Sequence, residues 1–391
     1  MSDTRHILLL QGPASWFFAA LGLALRKQDA LVTRIAFCPG DRLFWRRNSG
    51  QILPYRGSRN DYTKFLAQVL KQHNITDIIC LGDGRFWHKK AIALCATLPD
   101  PPRIYIVEHG YYRPGWLTLE RDGINANSQF SIDTSVKKPE PPQTFKSSFL
   151  RYALMDISWN LANILFSWLR YPHYKTHALV RPTQEWRGWI SKAVKKPFAR
   201  ISATKTVDKI MAHSGPVFVF PLQLDGDYQI RVHGPKGGLI KAVQDVYQSF
   251  TRHAPQNALL VFKVHPLDNG RINWAKIIGK TSNRCVFLNG GDLDTLLGKA
   301  AAVVTINSTV GLESIDRSIP TFVLGKAIYR QKGLCSHDDL DRFWSNPPPP
   351  DTQLAQQFRN SLIAKTQISG AFDGSGVKTG AKNIAKRVLA S

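Results

Sequence analysis

The stretch RIYIVEHGYYRPGW at residues 103–116 decides the fold of the N-terminal half of the chain. Residues 104–107 are apolar and mostly β-branched, which is typical of a buried strand. Glycines, a proline, an arginine and aromatic residues follow, so we expect a loop at the carboxyl end of that strand. Open α/β sheets bind ligands at this end of their strands. The alternative is an ordinary turn in which the arginine packs against aromatic rings.

The order of strand, glycine turn and helix repeats on the N-terminal side of this stretch. We expect strands at 5–10, 30–37, 77–81 and 103–107, and helices at 15–26, 61–73 and 88–97. This alternation is the signature of a doubly wound parallel sheet. The first turn, QGPAS at 11–15, lacks the later glycines of a dinucleotide fingerprint, so no nicotinamide site is expected. Gly12 in it serves either a tight turn or an acceptor contact.

The second half of the chain repeats the rhythm. We expect strands at 216–221, 258–264, 283–288, 301–306 and 320–324, with a long helix at 237–253. The sequence therefore predicts an α/β fold with two Rossmann-like domains that face a central cleft, as in GT-B glycosyltransferases. The predicted boundaries are 1–140 for the acceptor-side domain, 141–205 for a proline-rich link with an amphipathic helical segment, and 206–391 for the nucleotide-sugar domain.

Composition narrows the possible partners. The formal net charge is +24, which predicts attraction to nucleic acid, an anionic membrane or a phosphorylated small molecule. The five cysteines are widely spaced and form no CxxC pair, as expected of buried thiols in a reducing compartment. The apolar run at 7–10 is too short for a signal peptide, and no run of about 18 apolar residues is present. We expect a cytoplasmic protein, peripheral to a membrane.

Residues 149–169 are strongly apolar and aromatic. Arg151, Asp156 and Asn160 interrupt the segment, so an amphipathic helix is expected and a membrane-spanning one is not. Such a helix packs against protein, the commoner role, or lies on a bilayer surface. Basic residues between 170 and 200 form either a solvated face or a patch that suits anionic headgroups.

Two loops of the second half carry candidate binding residues. Asn307-Ser308-Thr309-Val310-Gly311 offers hydroxyls and backbone N–H groups at a predicted helix start, which suits a phosphate. Helix capping by Ser308 or Thr309 is the alternative. His265 follows the strand that ends at Lys263, and a histidine beside a lysine can donate a proton to a leaving phosphate.

A third loop brings Asp225 and Asp227 together. Paired acids in a turn usually stabilise the turn itself. In a site that exchanges glycosidic bonds, one carboxylate can act as nucleophile while another, here Glu108, handles the proton. The pair Asp292 and Asp294 is better explained as a helix start than as a metal site, so we expect an enzyme that needs no metal.

A longer motif connects these loops to a known family. EHGYYRPGWLTLE at 108–120, with GIN at 123–125, resembles the E-x-G-Y-x-R-P-x-W-I-T-L-E-x-x-G-V-N signature of the capsule polysaccharide KpsS/LipB family. The segments that agree in the same order are LLQGP (9–13), FCPGD (37–41), PLQ (221–223) followed by Asp227, HPLD (265–268) and NSTVGL (307–312). The resemblance covers nearly the whole chain. Two positions depart from it: His109 stands where Gln is expected, and Tyr228 where Ser is usual.

The resemblance implies a retaining β-Kdo glycosyltransferase that uses CMP-Kdo and a lysophosphatidylglycerol-type lipid acceptor to start the β-Kdo linker of a Gram-negative capsule. It implies that His265, Ser308 and Thr309 hold the CMP phosphate and that Glu313 binds ribose hydroxyls. Asp227 is then the expected nucleophile and Glu108 the acid/base, with their roles exchangeable. The further donor-side candidates are Gln223, Lys263, Asn307 and Gly311, and the acceptor or sugar contacts are Gly12, Tyr111, Arg113, Trp116 and Asn125.

The expected partners are CMP-Kdo, the lipid acceptor, an anionic inner-membrane surface and other capsule synthesis and export proteins, with no cofactor. Two other functions stay open. One is a nucleotide-sugar epimerase of similar fold, and the other is a basic protein that binds nucleic acid or anionic membrane. The sequence lacks RNP, zinc and helix-turn-helix signatures and spreads its charge over both halves, so nucleic acid is not an expected partner.

Overall fold

The computed structural model describes residues 4–176, 182–268, 270, 272–278 and 282–391, apart from the side chains of 182, 190, 193–200 and 275. Part of the predicted basic run, namely Arg181 and the side chains of Lys195, Lys196 and Arg200, therefore lies outside the described residues. The chain divides into two compact units. Unit 1 comprises Met1–His177 with Asn360–Ser391, and unit 2 comprises Ala178–Arg359.

The strands, in chain order, are β1 (His6–Leu9), β2 (Leu31–Ala36), β3 (Gln51–Pro54), β4 (Asp77–Leu81), β5 (Arg103–His109), β6 (Trp116–Arg121), β7 (Val217–Pro221), β8 (Leu259–Lys263), β9 (Cys285–Leu288), β10 (Ala300–Thr305), β11 (Thr321–Val323) and β12 (Gln367–Ser369). The helices are α1 (Phe17–Arg26), α2 (Pro39–Leu43), α3 (Tyr62–Gln72), α4 (Phe86–Cys95), α5 (Phe149–Arg170), α6 (Pro182–Met211), α7 (Tyr228–His233), α8 (Gly238–His253), α9 (Trp274–Ile278), α10 (Leu293–Lys299), α11 (Val310–Asp316), α12 (Leu340–Phe343), α13 (Thr352–Thr366) and α14 (Gly376–Leu389).

Unit 1 is built on a sheet with strand order β12-β6-β5-β4-β1-β2-β3. The five strands from β5 to β3 are parallel, and β6 runs antiparallel to β5 and β12. Ile7 and Leu9 of β1 pack on one face of the sheet, and Leu8 packs on the other. Apolar residues on both faces of a strand are expected when helices cover both sides of a parallel sheet.

Unit 2 contains a fully parallel sheet with strand order β11-β10-β7-β8-β9. Its strands also alternate between two apolar layers, with Phe218 and Phe220 on one face and Val217 and Val219 on the other. The predicted α/β fold with two Rossmann-like units is therefore confirmed.

The strand order of each unit reverses once. In unit 1 the chain moves from β1 to β2 and β3 in one direction, and then to β4 and β5 on the other side. In unit 2 it moves from β7 to β8 and β9, and then to β10 and β11. The crevice at the carboxyl ends of the two central strands is the usual ligand site of such a sheet. These switch points lie between β1 and β4 and between β7 and β10.

The structure corrects three predictions about unit 1. The loop expected after residue 107 is confined to 110–115, because 116–121 form the antiparallel strand β6 of a hairpin. The short edge strand β3 was missed. The prediction of one domain over 206–391 is wrong for residues 360–391, because β12 pairs with β6 and Ile384 of α14 is buried in the core of unit 1.

The predicted amphipathic helix forms as α5, which Ser148 caps by accepting a hydrogen bond from the Arg151 N–H. Trp159 is its one buried residue, and it joins Cys38 and Phe44 in a small apolar cluster. In the ranges that the structure describes, no helix is long and apolar enough to cross a membrane.

Candidate functional site

Glu108 lies at the carboxyl end of β5, at the edge of the unit 1 sheet that holds the switch point. The backbone N–H of His109 donates to Oε1 of Glu108 at 2.9 Å. A Cβ added to Gly82, the residue after β4, would lie 2.9 Å from Oε2 of Glu108, and Gly82 has a φ of +65°. The end of β4 thus needs a glycine both for its backbone conformation and for the space that the carboxylate occupies.

Glu108 is half-buried, and the loss of solvation raises the pKa of its carboxyl group. The His109 N–H and the charges of Arg85 and Arg113 oppose this shift without cancelling it, whereas Asp83 adds to it. A carboxyl group with a raised pKa is a stronger base when ionised and keeps its proton to a higher pH. The position of Glu108 therefore suits proton transfer.

Arg85 spans the unit 1 switch point. It follows β4, and its Nη1 donates to the carbonyl oxygen of Gly12, which follows β1, at 3.1 Å. A Cβ on Gly12 would lie 2.7 Å from the ring of Phe18, so the turn after β1 has no room for a side chain. The predicted acceptor contact of Gly12 stays a prediction, and Arg85 is a cation of this edge that sequence reasoning missed.

Gln11, Asp41 and Arg34 form a buried cluster of polar side chains behind this edge. Nε2 of Gln11 donates to Oδ2 of Asp41 and to the hydroxyl of Tyr174, each at 3.4 Å. Asp41 also accepts from the Phe37 N–H at 2.9 Å and forms an ion pair with Arg34 at 3.4 Å. These contacts fix the turns after β1 and β2 to each other. Asp41 closes the FCPGD motif, so the signal was present in the sequence, but its role depended on the buried Arg34.

The hairpin residues predicted to contact sugar have different positions. Tyr111 is buried; its hydroxyl donates to Glu120 and accepts from the Asn125 N–H, both at 2.6 Å. These contacts give Tyr111 a structural role, and the sugar contact predicted for it stays a prediction. Arg113 is exposed, with Nε donating to the Gly110 carbonyl at 3.1 Å. Trp116 and Asn125 are half-buried, and the sugar contacts predicted for them stay predictions.

Gln223 and Asn307 connect the two central strands of unit 2. Nε2 of Gln223 donates to Oδ1 of Asn307 at 3.0 Å, and the Asn307 N–H donates to Oε1 of Gln223 at 3.3 Å. Nδ2 of Asn307 also donates to the carbonyl oxygen of Gln229 at 2.9 Å. Both side chains are buried. The structure therefore brings these two predicted donor-side residues together at the switch point.

The turn after Asn307 leads into α11 as predicted. The Ser308 N–H donates to the Thr305 hydroxyl at 3.3 Å, and Oγ of Ser308 accepts from the Val310 N–H at 3.2 Å. A Cβ on Gly311 would lie 2.4 Å from the hydroxyl oxygen of Tyr329, which donates to the Ser308 carbonyl. Gly311 therefore allows an aromatic residue to support the turn. The predicted phosphate contacts of Ser308 and Thr309 stay predictions.

Lys263 and His265 lie at the end of β8, on the same edge of the unit 2 sheet. Lys263 is buried, and desolvation together with the charge of Lys192 lowers the pKa of its amine. Nδ1 of His265 accepts from the Leu267 N–H at 3.0 Å, so the proton of the neutral imidazole is on Nε2. That Nε2–H can donate to an anionic oxygen. Lys192 of α6 binds the carbonyl oxygens of Pro266 and Asp268 and was not predicted as a residue of this edge.

Asp227 caps α7, with Oδ1 accepting from the Gln229 N–H at 2.9 Å. Its turn-forming role is therefore real, and its role as nucleophile stays a prediction. Glu313 lies in the first turn of α11 and is half-buried. Asp292 caps α10, which confirms the predicted helix start. Among the described residues, no group of His, Cys, Asp or Glu side chains is arranged to hold a metal ion.

Comparisons with known proteins place the chain among capsule proteins. Residues 76–373 match the family model described as "Capsule polysaccharide biosynthesis protein". The chain is 29% identical over 380 residues to the capsule polysaccharide export protein KpsS of Escherichia coli, covering 94% of this chain and 97% of the relative. It is also 29% identical over 391 residues to the capsule polysaccharide modification protein LipB of Neisseria meningitidis serogroup A, covering 95% and 92%.

Solved structures align over the length of the chain at low identity. The β-Kdo 2,7 transferase of Thermosulfurimonas dismutans KpsC aligns with a TM-score of 0.49 and 12% identity, covering 98% of this chain and all of the other. The UDP complex of Staphylococcus aureus MnaA aligns with a TM-score of 0.34 and 13% identity, covering 99% and 95%.

Proposed function

The chain belongs to the capsule polysaccharide biosynthesis family, and from that premise we propose that it is a glycosyltransferase that transfers Kdo from CMP-Kdo to a lysophosphatidylglycerol-type lipid. The observation that carries the proposal is Glu108, a half-buried carboxyl with a raised pKa at a sheet switch point. It begins the sequence motif that resembles the KpsS/LipB signature. An acid/base residue at a ligand-binding edge is what acceptor activation requires.

We assign donor binding to the switch-point edge of unit 2. The CMP phosphate is anionic, and the amine of Lys263, the Nε2–H of His265 and the hydroxyls of Ser308 and Thr309 are suitable donors. The hydrogen bond between Gln223 and Asn307 and the close packing at Gly311 fix the conformation of this edge. Glu313 is assigned to the ribose hydroxyls because a carboxylate accepts two hydrogen bonds from neighbouring hydroxyls.

The proposed chemistry is a double displacement that retains the configuration of Kdo. Asp227 attacks the anomeric carbon, the bond to the CMP phosphate breaks, and CMP leaves with the electron pair while His265 donates to its phosphate. Glu108 then removes the proton from the acceptor hydroxyl, which attacks the same carbon and releases the Asp227 carboxylate. The two carboxylates can exchange these roles. The reaction as proposed needs no metal.

The acceptor and location follow from the same premise. A lipid acceptor requires a protein that works at a membrane surface, and we propose that the chain acts on the cytoplasmic face of the inner membrane beside other capsule synthesis and export proteins. The net charge of +24 supports this proposal, because it favours both an anionic donor and anionic headgroups.

The direct test incubates the purified protein with CMP-Kdo, generated in situ, and a lysophosphatidylglycerol analogue. We expect the acceptor to gain the mass of one Kdo or more. Turnover of a UDP-sugar without any acceptor would instead identify an epimerase. A salt-sensitive gel shift with nucleic acid and no transfer would identify a basic binding protein.

Asp227→Asn tests the nucleophile. We expect transfer to fall by about a thousandfold or more, because an amide cannot form the glycosyl-enzyme bond. The helix cap should survive, since asparagine caps helices as well as aspartate does. Asp225→Asn is the matched control in the same turn and should transfer Kdo at nearly the original rate. If both variants keep full activity, Asp227 has no part in the mechanism.

A further inference from the structure

The outer face of α5 is a continuous apolar surface. Leu150, Leu154, Ile157, Leu161, Ile164 and Trp168 recur at alternating steps of four and three residues, which places them on one side of a helix. The exposed fraction of these side chains runs from 42% for Ile157 to 72% for Trp168. A series of exposed large apolar residues of this length is unusual on a protein surface that meets only water.

The opposite face of α5 attaches the helix to unit 1. Trp159 packs so closely on α2 that a Cβ on Gly40 would lie 2.3 Å from its indole ring. The Gly40 N–H donates to Oδ1 of Asn163 at 2.9 Å, one turn further along the helix. Met155, one turn before Trp159, packs against the same apolar cluster. The helix is therefore fixed by its inner stripe, and its outer face remains exposed.

Charges near α5 are distributed as an anionic surface requires. Lys146 and Arg151 lie at the start of the helix, and Arg170 and Lys175 lie at its end. Asp156, the acidic residue of the helix, hydrogen-bonds Asn160 and is not part of the outer stripe. The stripe thus has basic residues at both of its ends and no acid within it. Tryptophan is also favoured at the interface between lipid and water, where Trp168 would lie.

A second copy of the chain fits this face less well. The steps of four and three residues resemble the seam of a coiled coil, which normally has oppositely charged residues beside it. The positions that flank the α5 seam are Arg151, Ala153, Ser158, Asn160, Leu165 and Ser167, and none of these six residues is acidic, so no pair of opposite charges can form beside the seam. The charge pattern therefore favours lipid over a partner helix.

We propose that the outer face of α5 lies in the headgroup region of an anionic bilayer, with the helix parallel to the membrane. A surface helix of this kind needs a wide apolar face and basic residues, and it does not have to span the bilayer. α5 rests on α2, which follows β2 at the carboxyl edge of the unit 1 sheet. Docking therefore brings that edge, with Glu108 and Gly12, close to lipid. The link to a lipid acceptor rests on the proposed function, whereas docking itself does not.

Flotation with vesicles tests the proposal on the full chain. We expect the protein to float with vesicles of phosphatidylglycerol and phosphatidylethanolamine, and much less with phosphatidylcholine alone. The triple variant Ile157→Asn, Leu161→Asn, Ile164→Asn should reduce the partition by at least about tenfold, because three apolar side chains no longer enter the interface. The matched control changes three exposed apolar residues of unit 2, Ile201→Asn, Val232→Asn and Ile240→Asn, and should float like the original chain.

Two results would overturn the proposal. The first is equal flotation of the α5 variant and the original chain. The second is absence of flotation combined with a dimer in solution that the α5 variant converts to a monomer, which would assign the face to a second copy. Activity assays separate docking from catalysis. On a short-chain, water-soluble acceptor the α5 variant should have the same transfer rate as the original chain. On the vesicle-borne acceptor its transfer rate should be lower. An inactive original chain that still floats would reject the proposed function and leave docking intact.

Discussion

The switch-point edges of the two units use different chemistry on the same kind of scaffold. The unit 1 edge holds ionisable side chains, and burial or neighbouring charge raises the pKa of Glu108 and lowers that of His88 to about 3. The unit 2 edge also carries Lys263 and His265, but its two central strands are joined by the neutral amides of Gln223 and Asn307, which hydrogen-bond each other. Both edges lie at the carboxyl ends of parallel strands where the strand order reverses.

This difference separates proton transfer from binding. A buried carboxyl or imidazole changes its protonation easily because its environment disfavours one form, so the unit 1 edge is suited to moving a proton. Paired amides carry no charge and keep one geometry at every pH, so the unit 2 edge is suited to holding a ligand in place.

Glu108→Gln should remove the proton-transfer function of the unit 1 edge. We expect the transfer rate to fall by about a thousandfold, the usual contribution of a positioned acid or base. The variant should fold at least as stably as the original chain. Because the folded pKa of Glu108 is raised, stability declines as the pH rises from the unfolded pKa through the folded pKa, and glutamine has no such cost. The melting temperature at pH 8 should therefore equal or exceed that of the original chain.

Glu120→Gln is the matched control for this substitution. Glu120 is a buried carboxyl of β6 whose pKa is also raised by desolvation, and it accepts a hydrogen bond from Tyr111 at 2.6 Å. Its contacts are structural, so this variant should keep most of the activity. An equal loss of activity in the two variants would show that neither carboxyl has a special role in proton transfer.

Asn307→Ala should damage the unit 2 edge through lost hydrogen bonds. The change removes the partner of the buried Gln223 amide and of the Gln229 carbonyl, at a cost of about 2–3 kcal/mol in the free energy of unfolding. We also expect a weaker affinity for the donor, seen as a higher KM for CMP-Kdo. Gln248→Ala, on the exposed face of α8, is the control for loss of an amide. A variant as stable as the control would contradict the importance of the pair.

Acid should destabilise unit 1 through His88. This imidazole is fully buried in α4, its Nδ1 donates to the Gly82 carbonyl at 2.8 Å, and burial lowers its pKa from 6.5 to about 3. The His88 imidazole of the unfolded chain therefore binds a proton below pH 6.5, whereas that of the folded chain binds it only near pH 3. The free energy of unfolding has its full value above pH 6.5 and declines as the pH falls, by about 2 kcal/mol at pH 5.

Urea unfolding of the original chain and of His88→Asn at pH 7 and pH 5 measures this effect. The variant is expected to be less stable at pH 7 but to lose less stability between the two values. His253→Gln, which changes an exposed histidine of unit 2, should lose as much as the original chain does. Equal losses in the original chain and the His88 variant would show that another group causes the acid sensitivity.

Much of the fold could be predicted because the relevant signals are local. Strands β1, β2 and β4 are short apolar runs that end in turn residues, and the structure places them within one or two residues of the predicted bounds. Hairpin strand β6 was missed although Leu117 and Leu119 alternate with Thr118 and Glu120, because the glycines and the proline before it indicated a loop. The edge strand β3 was missed because its residues are only half-buried or exposed, so they need little apolar pattern.

The candidate residues divide in the same way. Glu108, Gln223, Asn307 and His265 follow or end strands, and that position could be predicted from the sequence alone. The contribution of Arg85, Asp41 and Lys192 to these edges could not be predicted, because it depends on which strands are neighbours. Arg85 reaches Gly12 only because β4 lies beside β1, with β2 and β3 on the other side of β1.

The sequence by itself determined the α/β class, the two Rossmann-like units and the amphipathic character of α5, because hydrophobic period and turn residues act over a few positions. The tertiary structure decided which residues share an edge, and it assigned the last segment of the chain to unit 1. It also decided which face of α5 is used for packing. Those outcomes depend on contacts between residues far apart in the chain: Trp159 meets Gly40 and Gln367 pairs with Thr118 because the folded sheet brings them together.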